Sequence, residues 1–204
     1  GRWDVTRAQQ TEALGAVFQA LDADGVMVIE APDSHARRDG MAALEGFSAK
    51  FGIRARKAMI GYVNETQQEI IFLYDPDVLS VRHDPRTDGA PRFDEAIKMD
   101  LDVDAQLDTV KWSKPPLEIE VTHTSGAIFR MIGVHAKSKA PHGARNDAQA
   151  MRISIANRRK QLAQCIWLRR RVEAHLTAGD NTIVLGDFKD GPGLDEYEKL
   201  FGRS

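Results

Sequence analysis

The sequence is short of cysteine, has no long apolar run and carries almost no excess of either charge. Its single cysteine, Cys165, excludes a framework of internal disulfide bonds. No apolar run approaches the roughly 20 residues that a membrane-spanning helix needs, so no transmembrane segment is expected. The formal net charge of -2 and the pI of about 6.3 lack the basic character of a dedicated nucleic-acid-binding domain. No two of the six histidines have zinc-ligand spacing.

The chain does have enough apolar residues to build a substantial core. It is 204 residues long and 42% of its residues are hydrophobic, which fits one globular domain over residues 1–204. Nothing near the first residue has the pattern of a secretory signal. We therefore favour the cytoplasm as the compartment, although an export signal could lie outside this sequence.

Helix and strand patterns alternate along the chain, which predicts an α/β fold. The expected helices cover residues 7–21, 34–49 and 151–176. The expected strands cover residues 26–29, 69–74, 78–81, 117–123, 127–134 and 182–185. Thr6 is a suitable N-cap for the first helix, and Asp33 or Ser34 for the second. Short turns separate the second strand from the third and the fourth from the fifth, which predicts two hairpins.

Two polar stretches carry less information. Residues 82–108 are polar and acidic with interspersed proline and glycine, so we expect a solvated excursion there. The helix expected at residues 151–176 is strongly basic, and Arg171 is one of its cations. A solvated helix face is the default interpretation of these charges, and contact with nucleic acid is the alternative.

Three of the short apolar strands end in residues that can do acid–base or metal chemistry. Glu30 follows the strand at residues 26–29, His135 follows the run that ends at Val134, and Asp187 follows the run that ends at Gly186. Each has a plainer interpretation: a solvated glutamate, a hydrogen-bonded histidine, and an aspartate that caps the turn at residues 190–193. Because ligands gather where strands of α/β sheets end, we expect the three side chains to meet in one pocket.

The motifs around these three residues resemble those of the endonuclease/exonuclease/phosphatase superfamily. They are VIEAPD at residues 28–33, VHAKSK at 134–139 and VLGDFKD at 184–190, in that order, and the resemblance extends over residues 3–201. The superfamily includes deoxyribonuclease-I-like nucleases, abasic-site endonucleases, neutral sphingomyelinases and inositol-polyphosphate phosphatases. The resemblance implies a four-layer α/β sandwich, with two mixed β-sheets packed face to face and helices outside.

The resemblance also implies a role for each site residue. Glu30 and Asp187 would hold Mg²⁺ or Mn²⁺, and Asp187 would orient the attacking water. His135 would donate hydrogen bonds to the scissile phosphate, so these three form the expected catalytic set. Lys114 matches a family arginine that precedes a proline, and together with Lys137 and Lys189 it is expected to bind phosphate.

The sequence departs from the family pattern at three places. Lys189 stands where the family has an asparagine that contacts phosphate near the metal. The family's first strand with its metal-site asparagine, and its closing Ser-Asp-His segment, are not recognisable, so we expect a fold that is incomplete at both ends. Open sheet edges recruit other strands, and a homodimer formed through such edges is therefore possible.

Two functions remain open on the sequence. The first is a divalent-metal-dependent phosphoesterase that hydrolyses phosphodiesters, as nucleases of DNA or RNA do, or phosphomonoesters. The second is an inactive family member or fragment that binds phosphate-containing ligands without turnover. The two unrecognised motifs favour it, and so does the ammonium of Lys189, because it would repel a nearby cation. The sequence does not identify the substrate among nucleic acids, lipids and small phosphate esters.

Overall fold

The structure is a computed structural model that describes residues 4–35, 37–63, 68–101 and 105–189. These residues form three helices: α1 (Arg7–Leu21), α2 (Gly40–Phe51) and α3 (Asp147–Ala178). The first four strands are β1 (Gly25–Pro32), β2 (Lys57–Ile60), β3 (Gln68–Tyr74) and β4 (Leu79–His83). The remaining five are β5 (Ile97–Met99), β6 (Asp108–Val110), β7 (Leu117–His123), β8 (Ile128–His135) and β9 (Thr182–Asp187). In this part of the chain no helix is both long and apolar enough to cross a membrane.

The strands form two main sheets and one small one. The first sheet has the order β1-β3-β2 and is antiparallel throughout, whereas we expected both main sheets to be mixed. The second sheet has the order β4-β7-β8-β9 and is mixed, because β8 and β9 run parallel. Strands β5 and β6 pair separately. The α/β class expected from the sequence is confirmed.

Buried apolar residues join the sheets to each other and to the helices in three clusters. The first cluster joins β3 to β7 and includes Ile70, Phe72, Leu117, Ile119 and Val121. The second joins α2 to β1 and β3 and includes Ala31, Leu44, Ile71 and Leu73, with Phe18 of α1 packed against it. The third joins α3 to β8 and includes Ile132, Val134, Ala163, Trp167 and Leu168. The two main sheets therefore share one cluster, and each also packs against helices.

One of the two expected hairpins forms and the other does not. Strands β7 and β8 pair antiparallel across a tight turn, as expected. Strands β3 and β4 belong to different sheets, because β3 lies between β1 and β2 while β4 pairs with β7. At the turn between them Asp75 is buried and binds Arg56 at 3.1 Å. The turn residues were recognised correctly, but the turn carries the chain from one sheet to the next.

Helix α2 begins later than the sequence predicts. Its N-cap is Asp39, whose carboxylate accepts a hydrogen bond from the Ala42 amide at 3.0 Å, rather than Asp33 or Ser34. Ser34 instead accepts a hydrogen bond from the Gly40 amide at 3.0 Å, so its hydroxyl supports the start of the helix from outside. Helix α1 spans the expected residues and Thr6 caps it as predicted.

The expected solvated excursion at residues 82–108 is wrong for much of its length. Phe93 is fully buried between the rings of Trp112 and Trp167, and Ile97 begins the short strand β5. The indole of Trp167 donates a hydrogen bond to the carbonyl of Pro91 at 2.9 Å. The apolar residues of this segment are too widely spaced to show a helical or strand period, which is why the pattern missed them.

Arg171 contradicts its expected place on a solvated face. Its guanidinium is fully buried, donates to the carboxylate of Glu118 at 2.5 Å and to the carbonyl of Asp88 at 2.8 Å, and also contacts the carbonyl of Ala90 at 2.7 Å. A buried cation is tolerated only when it is paired and hydrogen-bonded. Arg171 meets this condition, because the Glu118 carboxylate pairs its charge and backbone carbonyls accept its other hydrogen bonds. The basic helix α3 is therefore partly an anchor for the chain before β5.

Phe93→Ala tests the packing of this segment. Removing a fully buried phenyl ring leaves a cavity between two tryptophans, and we expect the free energy of unfolding to fall by about 3–5 kcal/mol. Denaturant unfolding measures the change. The matched control is the exposed neighbour Glu95, whose replacement by alanine should change stability by less than about 0.5 kcal/mol. Equal, small effects of both substitutions would mean that the segment is solvated after all.

Candidate functional site

Strand pairing brings two of the expected site residues side by side. The parallel ladder of β8 and β9 places His135 opposite Asp187, at the last pair of the ladder. Gly186, one residue earlier, has φ +140, and a β-carbon there would lie 2.0 Å from the carbonyl oxygen of Val134. Only glycine permits this approach of the two backbones. In the Gly-Asp pair of the motif, the ladder thus requires the glycine, and the aspartate is the expected site residue.

Glu30 reaches the same place from the other main sheet. The pairing of β1 with β3 shifts register between Val28 and Ala31, and Glu30 lies within this irregularity. Such bulges at strand ends re-aim a side chain. The Nε2 atom of His135 lies 3.8 Å from Oε1 of Glu30 and 3.9 Å from Oδ2 of Asp187. The structure therefore brings Glu30, His135 and Asp187 together although they lie far apart in the sequence.

His135 is buried and held in one tautomer by a lysine. The Nζ atom of Lys114 lies 3.1 Å from Nδ1 of His135. An ammonium can only donate, so Nδ1 accepts and the ring proton of the neutral imidazole is on Nε2. Burial, and then the charges of Lys114 and Lys189, lower the pKa of His135 below its ordinary value. A neutral ring with an N–H directed at the Glu30 and Asp187 carboxylates follows from these contacts.

Asp187 is both a turn cap and half of an ion pair. Its Oδ1 atom accepts the backbone N–H of Lys189 at 2.8 Å, so the plainer interpretation as a turn cap is part of the answer. Its Oδ2 atom lies 2.5 Å from Nζ of Lys189. Burial alone would raise the pKa of Asp187, but the hydrogen bonds and charge of Lys189 outweigh burial and the pKa is lowered. Asp187 is therefore ionised at neutral pH.

Lysines surround this group. A cleft of about 170 Å³ is lined by Ser113, Lys114, His135, Ala136, Lys137, Ser138, Gln164 and Lys189, so it contains all three lysines expected to bind phosphate. Lys114 also lies 3.8 Å from Glu30. Burial is the largest cause of the lowered pKa of Lys114, and Lys189 adds to it. Cations and hydroxyls that converge in one cleft favour an anionic ligand with several oxygens.

The acidic residues suit a hard divalent cation, with one obstacle. Mg²⁺ is commonly held by one or two carboxylates together with waters and substrate phosphates, and Glu30 and Asp187 are two such carboxylates near one atom of His135. Among residues 4–35, 37–63, 68–101 and 105–189, no group of three or more His, Cys, Asp or Glu side chains is arranged to hold a metal ion. The obstacle is Lys189, whose ammonium already neutralises Asp187.

A larger cavity of about 560 Å³ lies elsewhere, between residues 86–89 and the end of α3. None of the catalytic, metal-binding or phosphate-binding residues expected from the sequence lines it. The chemistry converges in the smaller cleft at the ends of β8 and β9. The turn expected at residues 190–193 lies outside the described residues.

Sequence reasoning missed two residues beside the cleft, Gln161 and Gln164 of α3. Gln164 lines the cleft, and its amide oxygen accepts the backbone N–H of Lys137 at 2.9 Å. Gln161 donates to the carbonyl of Phe188 at 2.8 Å. Apolar periodicity gives no signal for them, because the apolar neighbour Leu162 is 62% exposed while both glutamines are buried.

No family model matches the chain, and no curated protein matches it. The resemblance to the endonuclease/exonuclease/phosphatase superfamily therefore stays a prediction, which depends on the three motifs and on the geometry of this cleft.

Lys114→Met tests the electrostatics of the site. The substitution removes a positive charge next to the imidazole, so we expect the pKa of His135 to rise toward its ordinary value. NMR titration of the histidine ring protons measures it. Lys137→Met removes the same charge from another wall of the cleft and should raise the pKa of His135 less. A pKa that stays constant or falls in Lys114→Met would contradict the assignment of Nδ1 as the acceptor.

Proposed function

We propose that the chain is a divalent-metal-dependent phosphoesterase of the endonuclease/exonuclease/phosphatase type, which hydrolyses phosphodiester or phosphomonoester bonds. The observation that supports it is that Glu30 and Asp187 both approach His135, which itself lines a cleft together with three lysines. Each member of this group has a use in phosphoryl transfer, which requires neutralisation of phosphoryl oxygens and a water held in line.

The neutral imidazole of His135 would donate its Nε2–H to a phosphoryl oxygen, and the developing charge on that oxygen would strengthen the bond. Lys114 fixes this tautomer by donating to Nδ1. Lys137 supplies a further positive charge at the cleft wall. The ionised carboxylate of Asp187 can accept a hydrogen bond from a water molecule and orient it. In this proposal the chain's residues position and neutralise, and none forms a covalent bond with the substrate.

Glu30 and Asp187 are the residues that would hold Mg²⁺ or Mn²⁺. The cation would supply Lewis-acid stabilisation of the phosphoryl oxygens. Both carboxylates approach Nε2 of His135 and are partly exposed, so an ion and its waters can reach them.

The same resemblance leads us to propose a four-layer α/β sandwich. The cluster that joins β3 to β7 would be the middle of the sandwich, with α1 and α2 outside the first sheet and α3 outside the second. The homodimer expected from open sheet edges stays a prediction. In the described order β9 is the last strand of its sheet, and its Ile183 is 43% exposed.

The alternative is a protein that binds phosphate-containing ligands without turnover. The observation that favours it is the ion pair between Lys189 and Asp187, since the ammonium occupies the carboxylate oxygen that a metal would use. A cleft with three lysines and a neutral histidine can bind phosphate oxygens as charged hydrogen-bond donors even without a metal. The two proposals differ in whether a bound ester is hydrolysed.

A hydrolysis panel separates them. We expect Mg²⁺- or Mn²⁺-dependent hydrolysis of at least one of four substrates: plasmid DNA, an abasic oligonucleotide, bis-nitrophenyl phosphate and nitrophenyl phosphate. Glu30→Gln, His135→Ala and Asp187→Asn should each lower the rate by about 100-fold or more, because each removes a charge or donor from the phosphoryl centre.

The matched control is Glu95→Gln, a charge-neutralising change at an exposed residue, which should leave the rate unchanged. Phosphate binding without hydrolysis of any substrate would establish the alternative. If the chain neither binds phosphate nor hydrolyses any of the substrates, both proposals are wrong.

Lys189→Asn tests the obstacle to metal binding. A like charge about 4 Å from a cation repels it by roughly 1 kcal/mol in water and about 4 kcal/mol near a protein surface, so we expect Mn²⁺ affinity to rise about tenfold or more. Residue 189 has φ +55, a conformation that asparagine tolerates, so the backbone should stay in place. Calorimetric titration with Mn²⁺ measures the affinity. Lys137→Asn is the matched control, and an equal gain in both variants would point to net charge instead of the ion pair.

A further inference from the structure

Helix α3 places two buried glutamines three residues apart on its inner face. Gln164 is 1% exposed and Gln161 is 7% exposed. They share that face with Trp167 and Leu168, which pack against the apolar side of β8. A buried amide on an apolar face is unfavourable unless its donors and acceptor are bonded. The contacts of both side chains therefore explain why glutamine is tolerated there.

All four of these contacts are to backbone groups of the segments that carry the cleft lysines. Gln164 accepts the N–H of Lys137 at 2.9 Å and donates to the carbonyl of Lys111 at 3.2 Å. Gln161 donates to the carbonyls of Phe188 and Lys189 at 2.8 and 3.2 Å. The three tied segments follow β6, β8 and β9, and they bear Lys114, Lys137 and Lys189 in turn.

These segments lie beyond the regular pairing of the sheet, where the ladders no longer fix the backbone. The need for hydrogen bonds that hold the backbone is clearest at Lys189. This residue has the left-handed φ of +55, a strained conformation for a residue with a β-carbon. Its N–H donates to Asp187 and its carbonyl accepts from Gln161, so the strained peptide is held on both sides. Helix α3 thus bonds the backbone at Lys137 and Lys189 directly, and at Lys111, three residues before Lys114.

We propose that Gln161 and Gln164 are positioning residues, which set the spacing of the three lysines so that their ammoniums can bind one phosphate group. The inference rests on the proposed phosphate site and adds the residues that shape it. Neither glutamine supplies charge. Each glutamine bonds the backbone of a segment that carries a cleft lysine. The fixed backbone then sets the direction of the lysine side chain.

Orthophosphate binding by the full chain tests the proposal, without added metal. Calorimetry should give weaker binding, by about tenfold or more, for Gln161→Leu and Gln164→Leu, because displaced lysines no longer reach the same oxygens. His175→Leu is the matched control. It removes a buried polar side chain, bonded to Asp180 at 2.8 Å, from the far end of the same helix, and it should lower stability while phosphate affinity stays unchanged.

Amide hydrogen exchange adds a readout that general destabilisation does not reproduce. Gln164→Glu keeps the oxygen that accepts the Lys137 N–H, so this amide should stay protected, whereas Gln164→Leu should lose that protection. The exchange rate is compared with the global unfolding rate of each variant. Faster exchange at Lys137 in Gln164→Leu alone is the expected result.

The outcomes separate this inference from the proposed function. If the unmodified chain binds phosphate and both leucine variants bind it equally well, the positioning role is overturned and the phosphate site stands. Equal losses of affinity in the leucine variants and in His175→Leu would also overturn it, since stability alone would then explain them. If the unmodified chain does not bind phosphate, the phosphate site itself fails, and the positioning role with it.

Discussion

The parallel pairing of β8 with β9 is the constraint on which the candidate site depends. Parallel neighbours cannot be joined by a tight turn, and the connection here is the long helix α3, which crosses the face of the sheet. The ladder ends with His135 opposite Asp187, and Gly186 permits the close backbone contact just before that pair. A one-residue slip would turn one of the two side chains to the opposite face of the sheet. The register is thus a condition of the chemistry as well as of the fold.

Electrostatics then decide what the converged residues can do. Lys114 contacts both His135 and Glu30, and Lys189 contacts Asp187, so each functional group has a cationic neighbour. Lys189 keeps Asp187 ionised, while burial and then the cations lower the pKa of His135 and keep the imidazole neutral. The result is an acceptor and a donor directed at one space. They also leave little uncompensated negative charge for a divalent ion. The balance between carboxylate and lysine charges distinguishes the two proposals, a metal-dependent ester hydrolase and a phosphate-binding protein. Lys189 has the largest effect on this balance, because it pairs directly with Asp187.

Local signals in the sequence were sufficient where a single cap, turn or apolar run determines the local structure. Thr6 caps α1, and the tight turn between β7 and β8 makes a hairpin. The short apolar runs of β1, β8 and β9 mark strands whose ends carry the three site residues, which is why their meeting could be anticipated. The turn at Asp75 shows the limit, because turn residues specify a reversal but not which sheet receives the next strand.

The signals failed where buried residues are polar or widely spaced. Phe93 stands in a segment with no period, and its burial depends on tryptophans far away in the sequence. In α3 the apolar Leu162 faces solvent while Gln161, Gln164 and Arg171 are buried. A hydrophobic period therefore recovers Leu168 but misplaces Leu162 and misses the buried polar residues, whose hydrogen bonds only the tertiary structure reveals.

Three buried polar residues of α3, Gln161, Gln164 and Arg171, share one physical role. Chain segments outside the ladders expose carbonyl and amide groups, which must be bonded when they are buried. Arg171 satisfies carbonyls of the segment before β5, and Gln161 and Gln164 satisfy carbonyls and one backbone N–H around the cleft. An apolar helix could cover the sheet equally well, but it could not hold these segments. The helix that completes the β8–β9 crossover therefore also fixes the backbone from which the cleft lysines extend, and the fold and the candidate site depend on the same side chains.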